Sequence, residues 1–390
     1  MKTQKKSIEI NVYVLEPNVL MRQMLSGMVR NEGGLKLAGT SGFTSRQSAI
    51  TSIRKQKPDV LMLGIEHEQS EEMKLFDILR EEFPILPIIL LTSLTDEGAK
   101  IAIAGLQKGA VDFVTKPDQK NGLIFAKNHF QKRVIPAIKA VPRLNMSRLA
   151  RKNSFPLQKR SDSIENPAIP FGPGRIINKS VGLISINGCL GAVPGLFQLV
   201  FELPAGLSVP IVIIQHMPKI YTAELARQLD LVTPLHVREA KNNSILLPGQ
   251  VYIIPGGYHA VIRNEGNRRV IRLHRGPREH KSRPSIDVLL RSAVQAYGGK
   301  MLGVFLSGGG DDGISGARNI YESGGYIMLE DHQSALLWDI GSKITKDVSS
   351  LERYPIDALG REIKKFLIFK NKPSVHRTIQ DSTAAKEIYF

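Results

Sequence analysis

The chain has 390 residues, of which 42% are hydrophobic and 23% are charged, and its formal net charge is +17 at pH 7. This composition is ordinary for a globular protein, and the length allows two or three domains. No unbroken apolar stretch reaches the roughly 18 residues of a membrane-spanning helix, so the sequence predicts none.

Residues 9–122 alternate strand-like and helix-like segments. The strand-like segments are IEINVYVL, LKLAG, PDVLMLGI, LPIILLTS and AVDFVTKP. The segments between them have helical spacing, and the first follows Asn18, a residue suited to the N-cap. Five strands alternating with helices predict a doubly wound, five-stranded parallel sheet.

Residues 140–178 are rich in Pro and Arg and have no steady periodicity, which is typical of an interdomain linker. The range 121–180 contains 12 Lys and Arg against 2 Asp and Glu. A solvated linker is the simplest interpretation, and the alternative is a tether for an acidic partner, a membrane surface or nucleic acid. The sequence has no zinc-ligand spacing or interleaved aromatic residues that would indicate specific nucleic-acid binding.

The alternation returns over residues 179–370, and residues 371–390 form a C-terminal tail. SVGLISIN, VPIVIIQ and MLGVFLSGG predict strands, whereas VPGLFQLVFEL, RPSIDVLLRSAVQAYG and DDGISGARNIYESG predict helices. GQVYIIPGG and YHAVIRN predict a β-rich insert at about 235–275. The second domain is therefore expected to be α/β, with a mostly parallel sheet.

The only cysteine, Cys189, lies at the turn after SVGLISIN. Gly188 precedes it, and Gly191 and Ala192 open the next helix, a pattern typical of a nucleophile elbow. The positive end of that helix would favour a thiolate. The structural alternative is a small, buried cysteine.

Two other strand ends carry the groups that a nucleophilic thiol needs. His216 ends VPIVIIQH, and Asp311 and Asp312 follow VFLSGGG. Since the carboxyl ends of parallel strands share one edge of a sheet, one interpretation is a Cys-His-Asp triad with Cys189, and the other is a small buried cysteine with an unrelated histidine. A single cysteine allows no internal disulfide, and the start MKTQKKSIEI lacks the apolar core of a secretory signal, so we expect a cytoplasmic protein.

The strand ends of the front domain resemble those of a response-regulator receiver domain. In that family an acid pair after strand one binds Mg²⁺, and an aspartate at the end of strand three accepts phosphate. A Thr or Ser follows strand four, and a Lys precedes a proline after strand five. The corresponding residues are Glu16 with Pro17, Gly64, Thr92, and Lys116 before Pro117. The resemblance implies that Glu16, Thr92 and Lys116 are retained without a phosphoacceptor or a metal site, as in a pseudo-receiver that docks on the second domain or on a partner.

Residues 179–370 resemble the catalytic domain of the chemotaxis protein-glutamate methylesterases, the CheB family, which has a receiver, a linker and an esterase domain in this order. VIIQHMP (212–218), LLPGQVYIIPGGYH (246–259), RPSIDVLLRSAVQAYG (283–298) and GVFLSGGGDDG (303–313) carry the resemblance. It implies that His216 and Asp312 are catalytic and that Cys189 replaces the family's serine. It also implies an oxyanion hole formed by the backbone amides of Leu190 and Gly309, although the family has a small residue and a methionine at these positions.

The resemblance implies hydrolysis of glutamate methyl esters in chemoreceptors, with glutamine deamidation and no cofactor. The expected partners are methyl-accepting chemotaxis receptors, with the chemotaxis kinase or methyltransferase as further candidates. One alternative is a catalytically inactive CheB-like scaffold that binds receptors or the methylation machinery. Another is a binding protein whose basic linker holds an acidic partner.

The remaining candidates have simpler interpretations. His259, His274 and His280 lie near the β-rich insert without metal-ligand spacing, so they are expected to be polar surface groups. Trp338 is expected in the core or in a pocket wall. The glycines at 308–310 are expected to allow a close approach of the backbone to the site.

Overall fold

The computed structural model describes residues 9–117, 123–149 and 181–369. Most of the predicted linker, residues 150–178, and the predicted tail, residues 371–390, lie outside these ranges. Within them the chain forms two α/β units. None of the helices described combines the length and the apolar composition needed to cross a bilayer.

The front unit is a five-stranded parallel sheet in the order β2-β1-β3-β4-β5. Its strands are β1 (Ile10–Leu15), β2 (Leu35–Ser41), β3 (Val60–Gly64), β4 (Ile88–Thr92) and β5 (Asp112–Thr115). Its helices are α1 (Val19–Arg30), α2 (Arg46–Gln56), α3 (Glu71–Glu82), α4 (Asp96–Gln107) and α5 (Leu123–Ala140). The predicted doubly wound sheet is confirmed.

Local sequence explains these elements. β3 and β4 are buried along their whole lengths, as expected for strands covered by helices on both faces. The side chains of Asn18, Ser45, Ser70 and Thr95 accept hydrogen bonds from amides in the first turns of α1, α2, α3 and α4. Each of these helices therefore begins at a side-chain cap, and the predicted N-cap at Asn18 is confirmed.

The back unit has a seven-stranded parallel sheet in the order β15-β14-β13-β6-β7-β10-β8. Its strands are β6 (Leu183–Gly188), β7 (Ile211–Gln215), β8 (His236–Glu239), β10 (Gln250–Ile253), β13 (Met301–Phe305), β14 (Tyr326–Glu330) and β15 (Glu352–Tyr354). The helices from α6 onward are α6 (Met146–Leu149), α7 (Val193–Glu202), α8 (Lys219–Val232), α9 (Ile286–Tyr297), α10 (Ile314–Glu322), α11 (Asp339–Asp347) and α12 (Ile356–Phe369).

The predicted β-rich insert is divided between two sheets. β8 and β10 extend the main sheet beside β7, because β10 is apolar and buried over most of its length. β9 (Ser244–Ile245), β11 (His259–Glu265) and β12 (Arg268–His274) form a separate antiparallel sheet. β11 of this small sheet packs against α9.

The two units pack together through α4 on one side and α7 and α8 on the other. The Phe113 and Tyr221 rings stack with their centroids 4.4 Å apart. The Tyr221 hydroxyl donates to Ser93 O at 2.8 Å, so at its 3.0 Å contact with Thr92 it accepts from Oγ1. Asn145, in the first part of the predicted linker, also bonds to the back unit through Leu336 O at 2.8 Å.

Candidate active site

The turn between β6 and α7 presents Cys189 at the carboxyl edge of the main sheet. A Cβ at Gly188 would lie 2.6 Å from Ala192 Cβ, and Gly191 has a φ of +79°, so both positions favour glycine. Gln215 fixes the turn by donating to Cys189 O at 2.8 Å. These contacts leave the Cys189 side chain half-buried.

The structure brings Cys189, His216 and Asp312 together. Cys189 Sγ lies 3.0 Å from His216 Nδ1, and His216 Nε2 lies 2.9 Å from Asp312 Oδ2. The three residues lie at or near the ends of β6, β7 and β13, and β6 is the strand between the other two. Asp311 instead forms an ion pair with Lys343 at 2.8 Å.

The orientation of the imidazole defines a direction for proton transfer. Nε2–H donates to the Asp312 carboxylate, so Nδ1 faces the thiol as the acceptor. Burial acts to lower the pKa of His216, but the charge of Cys189 and the hydrogen bond to Asp312 outweigh it and raise that pKa to about 10. The His216 imidazole can therefore take up the proton of the Cys189 thiol and hold it as an imidazolium.

Asp312 is buried and anchored at the start of α9. Its carboxylate accepts from Ser285 Oγ at 2.7 Å, Ile286 N at 2.9 Å and Asp287 N at 3.1 Å. Burial acts to raise the pKa of Asp312, but the bonds from His216, Ser285 and the backbone lower it overall. The carboxylate therefore stays ionised and fixes the imidazole.

The loop after β13 approaches the thiol closely. A Cβ at Gly308 would lie 2.8 Å from Cys189 Cβ, which confirms the predicted close approach at this glycine. On either side of Gly309, Gly308 N donates to Leu337 O at 2.9 Å and Gly310 N donates to Asp339 Oδ2 at 3.0 Å. Leu190 and Gly309 line the same cavity as the thiol, and their role as an oxyanion hole remains a prediction.

The cavity around the thiol is shared between the two units. It has a volume of about 340 Å³ and is lined by Cys189 and His216 of the back unit and by Phe113 and Arg133 of the front unit. The front unit therefore borders the site.

In the front unit, Glu16 occupies the space that a side chain at position 64 would need. A Cβ at Gly64 would lie 2.1 Å from Glu16 Oε2. Glu16 is fully buried, and its Oε1 accepts from Asn18 N at 3.0 Å and Lys116 Nζ at 3.1 Å. Burial raises the pKa of Glu16 although Lys116 acts to lower it. Lys116 also forms an ion pair with Glu66, so its ammonium group lies between two carboxylates.

Sequence reasoning did not single out Ser285 or Tyr221. Ser285 had a detectable signal, because it stands directly before an apolar helix and caps it. Tyr221 had none, because its bond to Thr92 depends on how the two units dock.

The remaining candidates have mixed outcomes. The expectation of a surface group is wrong for His259, which is 1% exposed and accepts from Ser285 N while donating to Pro277 O. His274 and His280 are exposed, as expected. Trp338 is half-buried against the core, also as expected. The carboxylates of Glu279 and Asp287 lie near His280, and of the described residues only this group places three possible metal ligands within 4.8 Å of one another.

Comparisons with known proteins agree with this architecture. Residues 184–363 match the family model of the CheB methylesterase, and residues 12–126 match that of the response regulator receiver domain. A protein-glutamate methylesterase/protein-glutamine glutaminase of Nocardioides sp. is 31% identical over 369 residues, which are 94% of this chain and 97% of that protein. A relative of the same name from Trichodesmium erythraeum is 27% identical over 357 residues, 91% of this chain and 98% of that protein.

Among solved structures, the CheB methylesterase catalytic domain of Thermotoga maritima is 27% identical and covers 48% of this chain and 99% of its own, with a TM-score of 0.46. The fold and the matched regions define a two-domain protein with a receiver-type unit in front of an esterase-type unit. The chain belongs to the CheB methylesterase family.

Proposed function

We propose that the protein is a protein-glutamate methylesterase and protein-glutamine glutaminase that acts on chemoreceptors through Cys189, His216 and Asp312. The observation that carries the proposal is the pair of contacts from Sγ to Nδ1 at 3.0 Å and from Nε2 to Oδ2 at 2.9 Å. A nucleophile, a base and an orienting carboxylate within hydrogen-bond reach are what acyl transfer requires. The family's curated members bear the names of both activities.

In the first half-reaction the Cys189 thiolate attacks the ester carbonyl carbon, and the carbonyl electron pair moves onto the oxygen. The amides of Leu190 and Gly309 are the expected donors to that oxyanion. When the carbonyl re-forms, the bond to the methoxy group breaks, and methanol leaves with the proton of His216. A thioester on Cys189 remains.

In the second half-reaction His216 takes a proton from water, and the resulting hydroxide attacks the thioester carbon. The C–S bond breaks, and the Cys189 thiolate and the His216 imidazolium are restored. The glutamate product then loses its proton to solvent. A glutamine side chain follows the same course with ammonia as the leaving group.

The test is methanol release from a methylated chemoreceptor by the full chain. We expect release above background from the wild type, none from Cys189→Ala, and retained or higher release from Cys189→Ser, because the surrounding site resembles one built for serine. An activated Cys189 thiol should also react quickly with an alkylating reagent near neutral pH, and His216→Ala should slow that alkylation. A wild type that releases no methanol and alkylates no faster than free cysteine contradicts the proposal.

A second candidate is an inactive scaffold that binds receptors or the methylation machinery, including the kinase or methyltransferase. The filled space at Gly64 favours it, because no aspartyl phosphate can form there to move the front unit away from the site. Receptor binding without methanol release from either wild type or Cys189→Ser would support this candidate. The cytoplasmic location, inferred from cysteine usage, remains a prediction.

A further inference from the structure

A strongly basic cleft leads to the candidate active site. It has a volume of about 1110 Å³, and His216, Met217 and Ser282 line both this cleft and the smaller cavity that holds Cys189. The front unit contributes Lys132 and Arg133 to its wall. The back unit contributes Lys219, Arg275, Arg278, Lys281 and Arg283. None of the described residues that line the cleft is Asp or Glu.

Two of these cations are held in place by neutral groups. Arg275 donates to the Tyr258 hydroxyl at 2.6 Å and lies over that ring, 4.6 Å from its centroid. Arg283 donates to Arg275 O at 3.0 Å and to Gly276 O at 2.9 Å. Carbonyl, hydroxyl and ring contacts orient a guanidinium without cancelling its charge.

Two of the seven cations also face a carboxylate outside the lining. The charge of Arg133 acts to lower the pKa of Asp112, and the charge of Lys219 acts to lower the pKa of Glu239. The net charge of the cleft nevertheless stays strongly positive, because Arg275, Arg278 and Lys281 are exposed and no acidic side chain lines the wall. A concave surface of one sign concentrates its field and attracts ligands of the opposite sign.

We propose that this cleft, formed jointly by the two units, binds an acidic peptide segment on either side of the residue that Cys189 attacks. The proposal rests on the proposed function, which places a protein side chain at the inner end of the cleft. The polypeptide on either side of that substrate residue must then pass through the cleft, so it is the occupant of the cleft. Its chemistry is set by the wall, which calls for several carboxylates and little positive charge.

A charge effect on the reaction follows. Each hydrolysis of a neutral ester or amide leaves a carboxylate, so the segment gains one negative charge at every turnover. A segment that has already been processed at one position should therefore bind better while a second position is attacked. Exposed charge pairs of this kind alter affinity by roughly two- to fivefold each, and salt weakens them.

The experiment uses the full chain and two synthetic peptides, each with one glutamate γ-methyl ester. In one peptide the ester is flanked by four glutamates, and in the other by four glutamines. We expect kcat/KM for the acidic peptide to be at least tenfold higher at low salt, with most of the difference in KM, and the advantage to disappear at about 0.5 M salt. Equal kcat/KM for the two peptides would overturn the proposal.

Variants assign the effect to the cleft. Arg278→Glu/Lys281→Glu and, separately, Lys132→Glu should reduce kcat/KM for the acidic peptide more than for the neutral peptide. The control is Arg263→Glu/Arg268→Glu, which changes the same charge at exposed positions of β11 and β12 outside the cleft. An equal loss in the control, or an equal loss with both peptides, would remove the cleft from the explanation.

Binding separates this inference from the proposed function. Fluorescence anisotropy of labelled, ester-free peptides on Cys189→Ala should show the same preference for glutamate flanks, whether or not the wild type releases methanol. Turnover without charge selectivity overturns the cleft alone, and selective binding without turnover overturns the esterase alone. Tighter binding of a single-stranded oligonucleotide or of anionic vesicles than of the acidic peptide would overturn the assignment of a peptide.

Discussion

The two units differ in the space around the residue at the end of a central strand. In the front unit position 64 is glycine, and Glu16 Oε2 lies 2.1 Å from where a Cβ at Gly64 would be. In the back unit Cys189 Sγ lies 3.0 Å from the His216 imidazole, which is held in turn by the anchored Asp312 carboxylate. The residue at a strand end therefore does not decide by itself what a site can do. The free space and the hydrogen-bond partners around that residue decide which chemistry the site allows.

The largest expected effect tests whether the partners in the back unit still act as a unit. Asp312→Asn should lower kcat for methanol release by about 10²- to 10⁴-fold with little change in KM, because an amide no longer stabilises the imidazolium. Asp311→Asn is the matched control, since the neighbouring carboxylate pairs with Lys343 instead. Equal activity of wild type and Asp312→Asn would mean that the retained geometry is not used.

The next effect tests whether the front site is truly closed. Gly64→Ala should lower the free energy of unfolding by about 1–3 kcal/mol, because its Cβ would overlap the buried Glu16 carboxylate. Gly33→Ala is the control, since a Cβ there meets nothing within 4 Å. Urea unfolding at neutral pH measures both variants.

The same site should not accept phosphate. Neither wild type nor Gly64→Asp should retain acid-labile phosphate after incubation with a small phosphodonor and Mg²⁺, because Pro17 supplies no second metal-binding carboxylate and Glu16 fills the space. Glu16→Ala/Gly64→Asp should recover the stability that Gly64→Asp loses. Phosphoaspartate at position 64 of Gly64→Asp would mean that the space beside Glu16 is open.

Much of this could be predicted from sequence, because the relevant information is local. Strand ends and helix caps are set by neighbouring residues, so the strand pattern predicted the parallel sheet of the front unit and placed Cys189 and His216 at one sheet edge, whereas the choice of Asp312 over Asp311 came from the family resemblance. The split of the β-rich insert between two sheets did not follow, since pairing partners are chosen by tertiary packing.

Contacts that depend on the direction in which a side chain turns were not predictable from sequence. The burial of His259 comes from its bond with the helix start at Ser285, 26 residues along the chain. The position of Glu16 over Gly64 depends on the side chain turning inward toward Lys116. The sequence shows a glycine at position 64, and only the fold shows that Glu16 fills the space beside it.

A smaller effect concerns Glu330, a buried carboxylate near the candidate active site, as Glu16 is in the front unit. Glu330 Oε2 accepts from Ser307 N at 2.9 Å under the active-site loop, and burial raises the pKa of Glu330 to about 7. A glutamate whose pKa is higher in the folded state stabilises the fold below its unfolded pKa, and this contribution is lost as pH rises toward 7. Wild type should therefore lose on the order of 1–3 kcal/mol relative to Glu330→Gln between about pH 4.5 and 7.

Chemical denaturation across that pH range measures the difference. Glu352→Gln on the neighbouring strand β15 is the control, because that side chain is exposed. A constant difference between wild type and Glu330→Gln over the range would show that Glu330 is ionised in the fold throughout, like a cation-paired carboxylate.

The smallest effect concerns the hydrogen bond between Thr92 of the front unit and Tyr221 of the back unit. Thr92, at the end of β4 beside the closed front site, donates to Tyr221 OH at 3.0 Å, and Tyr221 donates onward to Ser93 O at 2.8 Å. Thr92→Val and Tyr221→Phe should each lower the free energy of unfolding, with Tyr221→Phe costing more because it removes both bonds. In a double-mutant cycle the coupling between them should be about 0.5–1.5 kcal/mol, the usual net value of one buried hydrogen bond. A cycle of Thr92→Val with Tyr354→Phe, whose hydroxyl bonds to Glu352 at the surface, should be additive. Additive behaviour in both cycles would mean that this contact contributes no coupling energy between the front unit, although closed at Gly64, and the back unit.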